Sequence, residues 1–325
     1  MRILSRQEIE TLISMRDAIA LMEEVFAALA RGEALVPERT ALSLPGTDNS
    51  IVFMPGYLVK SGSIGLKTVS VFPTNAARGI PTISAQILLC DSETGETKAL
   101  LEGGYLTALR TAATTAVATK HLARETAESL GVFGAGVQAK SQIESHFEVR
   151  LLKRVLIYDP NKQRAAALVK HVQSTRGSAC ECTAAGSPGE VLASSDIIVT
   201  ATTSPVPVFD GRSVKEGTHI NAIGSFKPVV REVDDAIVRR SRIFVDSYEH
   251  ALKEAGDLII PMKSGIINRG DIKAELGELI VGTKKGRERT DEITLFKSVG
   301  MAVQDIAVAE VVYQKAREHN LGLVV

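Results

Sequence analysis

The sequence lacks the features that would tie it to a membrane, a metal, a disulfide scaffold or a nucleic acid. No run of ~18 apolar residues is present, so no spanning helix is expected. The opening Met-Arg-Ile-Leu-Ser-Arg-Gln-Glu carries charge where a secretory signal needs an apolar core, which points to the cytosol. Neither sign of charge dominates: 38 basic residues balance 38 acidic ones, against an anionic membrane or nucleic acid as partner. There are only three cysteines, Cys90, Cys180 and Cys182. Cys180-x-Cys182 has no second pair, so buried thiols are expected rather than a disulfide or metal site. The six histidines are scattered without ligand spacing, and no metal is expected. Internal repeats and low-complexity tracts are missing too. What is left is a 325-residue chain, 45% apolar, long enough for two domains and a sizeable core.

One stretch organises the rest. The apolar run Leu130 to Phe133 is followed at once by Gly134-x-Gly136-x-x-Ala139, and then by a segment, Val137 to Arg150, that reads as a helix. Strand, glycine-rich turn and helix in that order are what a dinucleotide fingerprint requires. Gly134 allows the tight turn, Gly136 lets backbone approach a pyrophosphate, and Ala139 is small enough for close packing of helix on strand. The helix start offers unpaired N–H groups and a positive dipole end to the phosphates. Strand Val155 to Tyr158 ends in Asp159, an acid about 20 residues past the glycines, placed to bind ribose hydroxyls and to disfavour a phosphate there. The cofactor expected is therefore NAD(H) or NADP(H), with Asp159 leaning to NAD(H). The alternative for Asp159 is a cap on the helix beginning near Pro160, and Lys162 nearby could tolerate NADP(H).

Along the chain, Ser5-x-x-Glu8 reads as a capping box opening a short helix. A longer helix spans Met15 to Ala30, with Ile19, Met22, Val25, Phe26 and Leu29 on one face. Strand-like pieces follow over 40–44, 50–57, 63–72 and 83–91, and a hairpin closes the group with 97–101. A helix of small residues covers 107–122. Beyond the fingerprint the pattern alternates: strands 154–158, 179–183, 197–201, 219–223 and 243–246, with helices 162–175 and 189–194. From Thr290 the alternation stops, and a final helix from Gly300 to about Glu318 has no strand after it. The fold class expected is α/β: a Rossmann-type doubly wound parallel sheet over 126–299, plus a strand-rich α+β domain over 1–125 and 300–325, discontinuous because the last helix returns to it.

Two basic residues sit where charge is hard to explain. Lys67 interrupts Ile64-Gly-Leu-Lys-Thr-Val-Ser-Val71, and Arg110 lies in Leu109-Arg-Thr-Ala-Ala among small residues. Buried cations are costly unless paired with an anion, so a carboxylate-binding pocket is one reading. The other is side chains that snorkel to the surface. Arg39, after Val36-Pro-Glu, is by itself a loop arginine. The run Thr200-Ala-Thr-Thr-Ser204 follows a strand, as does Gly224-Ser225 in Asn221-Ala-Ile-Gly-Ser225. Loops past the carboxyl ends of strands line the cofactor crevice of such sheets, so the hydroxyls of the first run could face a nicotinamide. Plain turns would look the same.

Together these residues resemble the ornithine cyclodeaminase/mu-crystallin family along nearly the whole chain. The matches run in order: Pro37-Glu-Arg39-Thr, Gly65-Leu-Lys67-Thr-Val-Ser-Val-Phe72, Leu109-Arg110-Thr-Ala-Ala, Gly134-Ala-Gly-Val-Gln-Ala139, Asn221-Ala-Ile-Gly-Ser225, Val245-Asp246-Ser, Glu275-Leu-Gly-Glu-Leu-Ile280 and Phe296-Lys-Ser-Val-Gly-Met301. The resemblance implies a homodimer assembled through the strand-rich domain, with a small imino or amino acid held between the two domains. It implies that Arg39, Lys67 and Arg110 hold the substrate carboxylate, which favours the pocket reading, with Lys67 closest to the reacting carbon and nitrogen. It places Ser298 and Gly300 near the nicotinamide and Asp246 in the cofactor cleft. The cofactor contacts expected are then Gly134, Gly136, Val137, Gln138, Ala139, Asp159, Thr200, Ala201, Thr202, Gly224 and Ser225, with Arg110, Thr111, Asp246, Ser298 and Gly300.

One departure decides among the family's reactions. Members that deaminate ornithine or act as alanine dehydrogenase carry an aspartate where this chain has Phe226, in Gly224-Ser-Phe-Lys-Pro228. A carboxylate there would bind the substrate amine and move protons; phenylalanine does neither. The Gly-Ser-Phe-x-Pro run is similar to members that reduce cyclic ketimines. The reaction implied is NAD(P)H-dependent reduction of Δ1-pyrroline-2-carboxylate to L-proline, or Δ1-piperideine-2-carboxylate to L-pipecolate, with Phe226 as an apolar wall. Ornithine cyclodeaminase, an alanine or other amino acid dehydrogenase, and a non-enzymatic NADPH-binding protein of the lens type are the alternatives.

Overall fold

The computed structural model describes residues 1–75 and 77–325. The chain forms two compact units, Met1–Thr111 with Gly300–Val325, and Ala112–Val299. In the first, β1 (Arg2–Leu4) leads to α1 (Arg6–Leu12) and α2 (Met15–Ala30), each opened by a serine capping box, Ser5 with Glu8 and Ser14 with Asp17. Then come β2 (Ala34–Leu35), β3 (Thr40–Ser43), β4 (Ser50–Leu58), β5 (Ser63–Val71), β6 (Ile83–Cys90), β7 (Thr97–Glu102) and α3 (Gly103–Leu122). The break between the units falls inside α3, so residues 112–125, expected with the first domain, group with the second. No glycine or proline interrupts the Ala- and Thr-rich helix there, and it runs on into the second unit.

The second unit continues with β8 (Ser129–Phe133), α4 (Val137–Val149), β9 (Arg154–Tyr158), α5 (Lys162–Arg176), β10 (Glu181–Ala184), α6 (Pro188–Ser194), β11 (Ile197–Thr200) and β12 (His219–Ala222). It ends with α7 (Asp235–Arg240), β13 (Ser241–Val245), α8 (Tyr248–Glu254), α9 (Gly256–Lys263), β14 (Ile272–Glu275), α10 (Leu276–Ile280) and β15 (Ile293–Lys297). Every strand pair is parallel, in the order β10-β9-β8-β11-β12-β15-β13-β14. Strand residues alternate between two cores: Ile197 and Val199 pack on one face with Leu130 and Val155, Ile198 on the other with Ile220 and Leu295. Apolar residues on both faces are what a doubly wound sheet demands. β15 was not expected. It inserts between β12 and β13, out of chain order.

The chain then re-enters the first unit through α11 (Ala302–Glu318) and ends in β16 (Leu323–Val324). β16 corrects the expectation that no strand follows the last helix. Two residues are too few to show a pattern, but they pair antiparallel with β1. The first sheet runs β16-β1-β7-β6-β5-β4-β2, with β3 also on β4, and α11 packs across β4, β5 and β6 beside α2. Gly56 and Gly65, register partners on β4 and β5, make this close approach possible. A β-carbon on Gly56 would stand 3.0 Å from Val303 and Ile306, and one on Gly65 3.4 Å from Ile306. Helix and sheet therefore meet backbone to side chain, with Lys67 two residues along β5 from Gly65 and Asp305 next to Ile306 on α11. Among the described residues no helix is long and apolar enough to cross a membrane, and all three cysteines are unbridged.

Candidate active site

In the first unit, β5, α3 and α11 bring Lys67 and Arg110 onto one carboxylate that the sequence reading missed, Asp305, and the loop before β3 sets Arg39 near enough to act on Lys67. Lys67 Nζ lies 3.0 Å from both Asp305 oxygens, and Arg110 Nε donates to Oδ1 at 3.1 Å. Thr107 Oγ1 donates to the same oxygen at 3.2 Å. Arg110 Nη1 reaches Gln304 Oε1 at 3.0 Å, and Arg39 Nη2 donates to the Gly300 carbonyl at 2.6 Å. Gly300, at φ +77°, is pressed against Arg110: a β-carbon would stand 2.5 Å from Nη1. Lys67, Arg110 and Asp305 are 2%, 5% and 0% exposed.

The cations are therefore not unpaired, as their surroundings in the sequence suggested, but they outnumber the anion. Burial pushes the Lys67 ammonium down to about 8; Asp305 opposes this, while Arg110 and Arg39 add to it. Burial alone would raise the Asp305 carboxyl, yet Arg110 and Lys67 hold it below the usual range. A dry cluster with surplus positive charge and fork-shaped guanidinium donors is suited to a second carboxylate. Asp305 carried a signal of the same kind as Arg110: a charge inside the apolar run Ala302-Val-Gln-Asp-Ile-Ala-Val-Ala309.

In the second unit the strand order reverses between β8 and β11, and the glycine-rich turn stands at this switch point. Gly134 adopts φ +98°, and its absent β-carbon would lie 2.5 Å from the Ala201 carbonyl, so the loops after β8 and β11 touch. Gly136 caps α4 from an exposed position where a β-carbon would meet nothing, and no side chain caps the helix. Val137 is 72% exposed, Gln138 half-buried and Ala139 fully buried against the strand. Asp159 follows β9 and accepts from Ala135 N at 2.9 Å and Asn161 N at 2.8 Å. The cap of α5 is Asn161, not Asp159. An open, uncapped helix start behind a close-packed glycine turn fits a pyrophosphate.

All strands point the same way, so Asp159, Ala201, Thr202, Gly224, Phe226, Asp246 and Ser298 all follow strand ends along one sheet edge. Phe226 is 38% exposed in the loop after β12. Asp246 Oδ2 accepts from Ser298 Oγ and Val299 N, both at 2.8 Å. Two expected cofactor contacts turn inward instead. The Thr200 hydroxyl, fully buried, donates to Glu232 at 2.8 Å, and Ser225 Oγ donates to the Val230 carbonyl at 2.8 Å. Each hydroxyl is thus taken up by an acceptor within the unit. Thr111 is buried on α3. Glu232, Asp257 and Lys297, all fully buried behind this edge, were not anticipated. Lys297 could have been found, being a charge at the end of the apolar run Ile293-Thr-Leu-Phe; Glu232, in Arg231-Glu-Val-Asp-Asp235, is one of four charges in five residues and gave no signal.

A doubly wound parallel sheet with a glycine turn at its switch point and an acid on the next strand defines a dinucleotide-binding protein of the Rossmann class. More particularly, the chain belongs to the ornithine cyclodeaminase/mu-crystallin family, whose model matches residues 1–320. It is 40% identical over 323 residues to a Δ1-pyrroline-2-carboxylate reductase of Bacillus cereus (strain ZK / E33L), covering 99% of this chain and 98% of the relative. The Thermococcus litoralis Δ1-pyrroline-2-carboxylate reductase, solved in complex with NADH and L-proline, superposes with a TM-score of 0.97 at 44% identity, covering 100% of both chains. An archaeal alanine dehydrogenase, solved as a dimer with bound NAD, gives 0.94 at 36% identity, covering 100% of this chain and 98% of that one.

Proposed function

We propose that the protein reduces cyclic imino acids, Δ1-pyrroline-2-carboxylate to L-proline and Δ1-piperideine-2-carboxylate to L-pipecolate, using a nicotinamide dinucleotide. The observation that carries this is Lys67: a buried lysine inside a cation-rich cluster, its ammonium brought down to about 8, is an acid that can release its proton near neutral pH. Arg39 and Arg110 fix the carboxylate, Arg110 with the planar fork that suits it. Lys67 gives a proton to the ring nitrogen. NADH, when bound, supplies the hydride that the imine carbon takes. Phe226 offers ring contact in place of a carboxylate that would act on an amine, so ammonia release has no base at that position. The reductases of Bacillus cereus and Thermococcus litoralis support the same reading.

Gly134, Gly136 and the start of α4 hold the pyrophosphate in this proposal, and Asp159 favours NADH over NADPH by repelling a 2′-phosphate. The assembly proposed is a homodimer built through the first unit, where the register puts Leu42 on β3 and Ile64 on β5 on the same face of the sheet, 54% and 36% exposed. Sedimentation of the purified protein tests that.

The deciding experiment mixes purified protein with NADH or NADPH and each cyclic imine and follows nicotinamide absorbance, with L-ornithine plus NAD and an ammonia assay alongside. Fast imine-dependent oxidation and no ammonia are expected. Ammonia from L-ornithine without net absorbance change would overturn the proposal in favour of a cyclodeaminase. The archaeal alanine dehydrogenase favours a second reading, reductive amination of pyruvate; NADH oxidation with pyruvate and ammonia exceeding that with the imines would establish it.

A further inference from the structure

The ladder between β11 and β12 ends at Thr200 and Ala222, with one more bond from Ile223 N to the Thr200 carbonyl. Beyond it the two chains part, and the side chain of Glu232 takes the place of the next rung. Its Oε1 accepts from Thr202 N at 2.7 Å and Thr202 Oγ1 at 2.8 Å; its Oε2 accepts from Gly224 N at 2.7 Å and Thr200 Oγ1 at 2.8 Å. A carboxylate has about four acceptor positions, and here donors from the last residue of β11 and from the two loops beyond β11 and β12 fill them. Glu232 is itself held from behind. Its backbone N–H donates to Asp257 Oδ1 at 2.7 Å, and Lys297 Nζ lies 2.8 Å from Asp257 Oδ2 and donates to the Ser225 carbonyl at 2.6 Å. The fit leaves no slack at Gly224, where a β-carbon would stand 2.3 Å from the Thr202 carbonyl and 2.5 Å from Glu232 Oε1.

We propose that Glu232 is a positioning residue for the dinucleotide: it locks the loops after β11 and β12 into one rigid edge, and the cofactor binds to that edge. The inference rests on the proposed function only in assigning these two loops to the cofactor. A buried carboxylate that merely filled space would be replaceable by an apolar side chain. This one satisfies loop amides that lie past the end of the sheet's own hydrogen bonding, at the carboxyl edge where such sheets bind ligands.

The test is Glu232→Gln, which turns one acceptor oxygen into a donor and leaves two loop donors facing it. NADH affinity, read by nicotinamide fluorescence on titration, is expected to weaken about ten-fold or more, with kcat at saturating NADH unchanged. Thr200→Val, which removes a buried hydroxyl from the same carboxylate, should weaken affinity in the same direction by less. Val172→Ala, a core truncation in α5, should lower the melting temperature and leave NADH affinity alone. Wild-type NADH affinity in folded Glu232→Gln and Thr200→Val overturns the proposal, as does an equal loss in Val172→Ala. Should Glu232→Gln fail to fold, Thr200→Val against Val172→Ala decides it. A wild-type protein that binds NADH but reduces no imine refutes the proposed function and leaves these titrations valid; one that binds neither NADH nor NADPH overturns both.

Discussion

Replacing Asp305 by asparagine keeps the shape of the cluster and removes its only negative charge. Lys67 Nζ lies 3.0 Å from that carboxylate with both groups buried. At an effective dielectric of ~20, a charge pair at this distance attracts by roughly 5 kcal/mol. Burial already brings the Lys67 ammonium down to about 8 against this attraction. Without it, Lys67 faces Arg110 and Arg39 unopposed, and its proton leaves at lower pH. Even if relaxation and entering water cancel four-fifths of the attraction, about 1 kcal/mol remains, close to one pH unit at ~1.36 kcal/mol per unit. The assay is kcat/KM for Δ1-pyrroline-2-carboxylate against pH. Wild type should fall as pH rises through about 8, because the proposed donor is the protonated lysine; Asp305→Asn should begin to fall roughly one pH unit lower. Comparing the two cancels the substrate's own titration. Thermal stability should drop as well, since breaking a buried pair from one side costs ~3–5 kcal/mol. A folded variant with its alkaline limb unmoved would refute the reasoning.

Further perturbations separate the remaining roles. Lys67→Met should slow imine reduction about 10²- to 10⁴-fold with NADH affinity intact; an unchanged rate would remove Lys67 from proton transfer. Asp159→Ala should weaken NADH roughly ten-fold and lower the NADH-to-NADPH ratio of kcat/KM, and an unaltered ratio would leave Asp159 with only its bonds to Ala135 and Asn161. Phe226→Asp, at a position exposed enough to accept a charge, should bring measurable ammonia release from L-ornithine; none at all would sink the role given to this position. Burial holds His146 down to about 4 and His219 well below its ordinary value. The unfolded chain therefore binds more protons below pH ~6.5, and stability should fall as pH drops from there toward about 4, by roughly 3 kcal/mol from His146 alone. Urea midpoints that do not decline across that range would contradict it.

Much of this molecule was legible because local rules and tertiary demands agreed. Ser5 with Glu8 opened a helix, Met15 to Ala30 showed its buried face, and Gly134, Gly136 and Ala139 stood in the strand and helix that give them meaning. What escaped depended on crossings between distant segments. β15 was hidden because the chain places it between β12 and β13 only after β14 is complete, an order no local pattern encodes. β1 and β16 hold three and two residues and exist through distant partners, β1 through β7 and β16 through β1. Lys67 was noticed as a charge in apolar surroundings, but its partner Asp305, far along the chain, needed α11 to return over β5 before the pair had meaning. The Thr200 hydroxyl was expected to face the cofactor crevice and Ser225 to contact the cofactor; the hydroxyls of both instead donate to acceptors within the unit.

The return of the chain to the first unit at Gly300 also sets an order of events during synthesis. Every strand of the dinucleotide sheet has been made once Lys297 is reached, whereas β4 and β5 still lack the helix that covers Gly56 and Gly65. Until α11 emerges, Lys67 and Arg110 lack the Asp305 carboxylate, and the face of β5 that carries Lys67 must stay wet or be shielded by something else. A nascent chain is thus vectorially asymmetric: its nucleotide-binding half can consolidate first, and the cluster proposed to act on the substrate is among the last parts to come into existence.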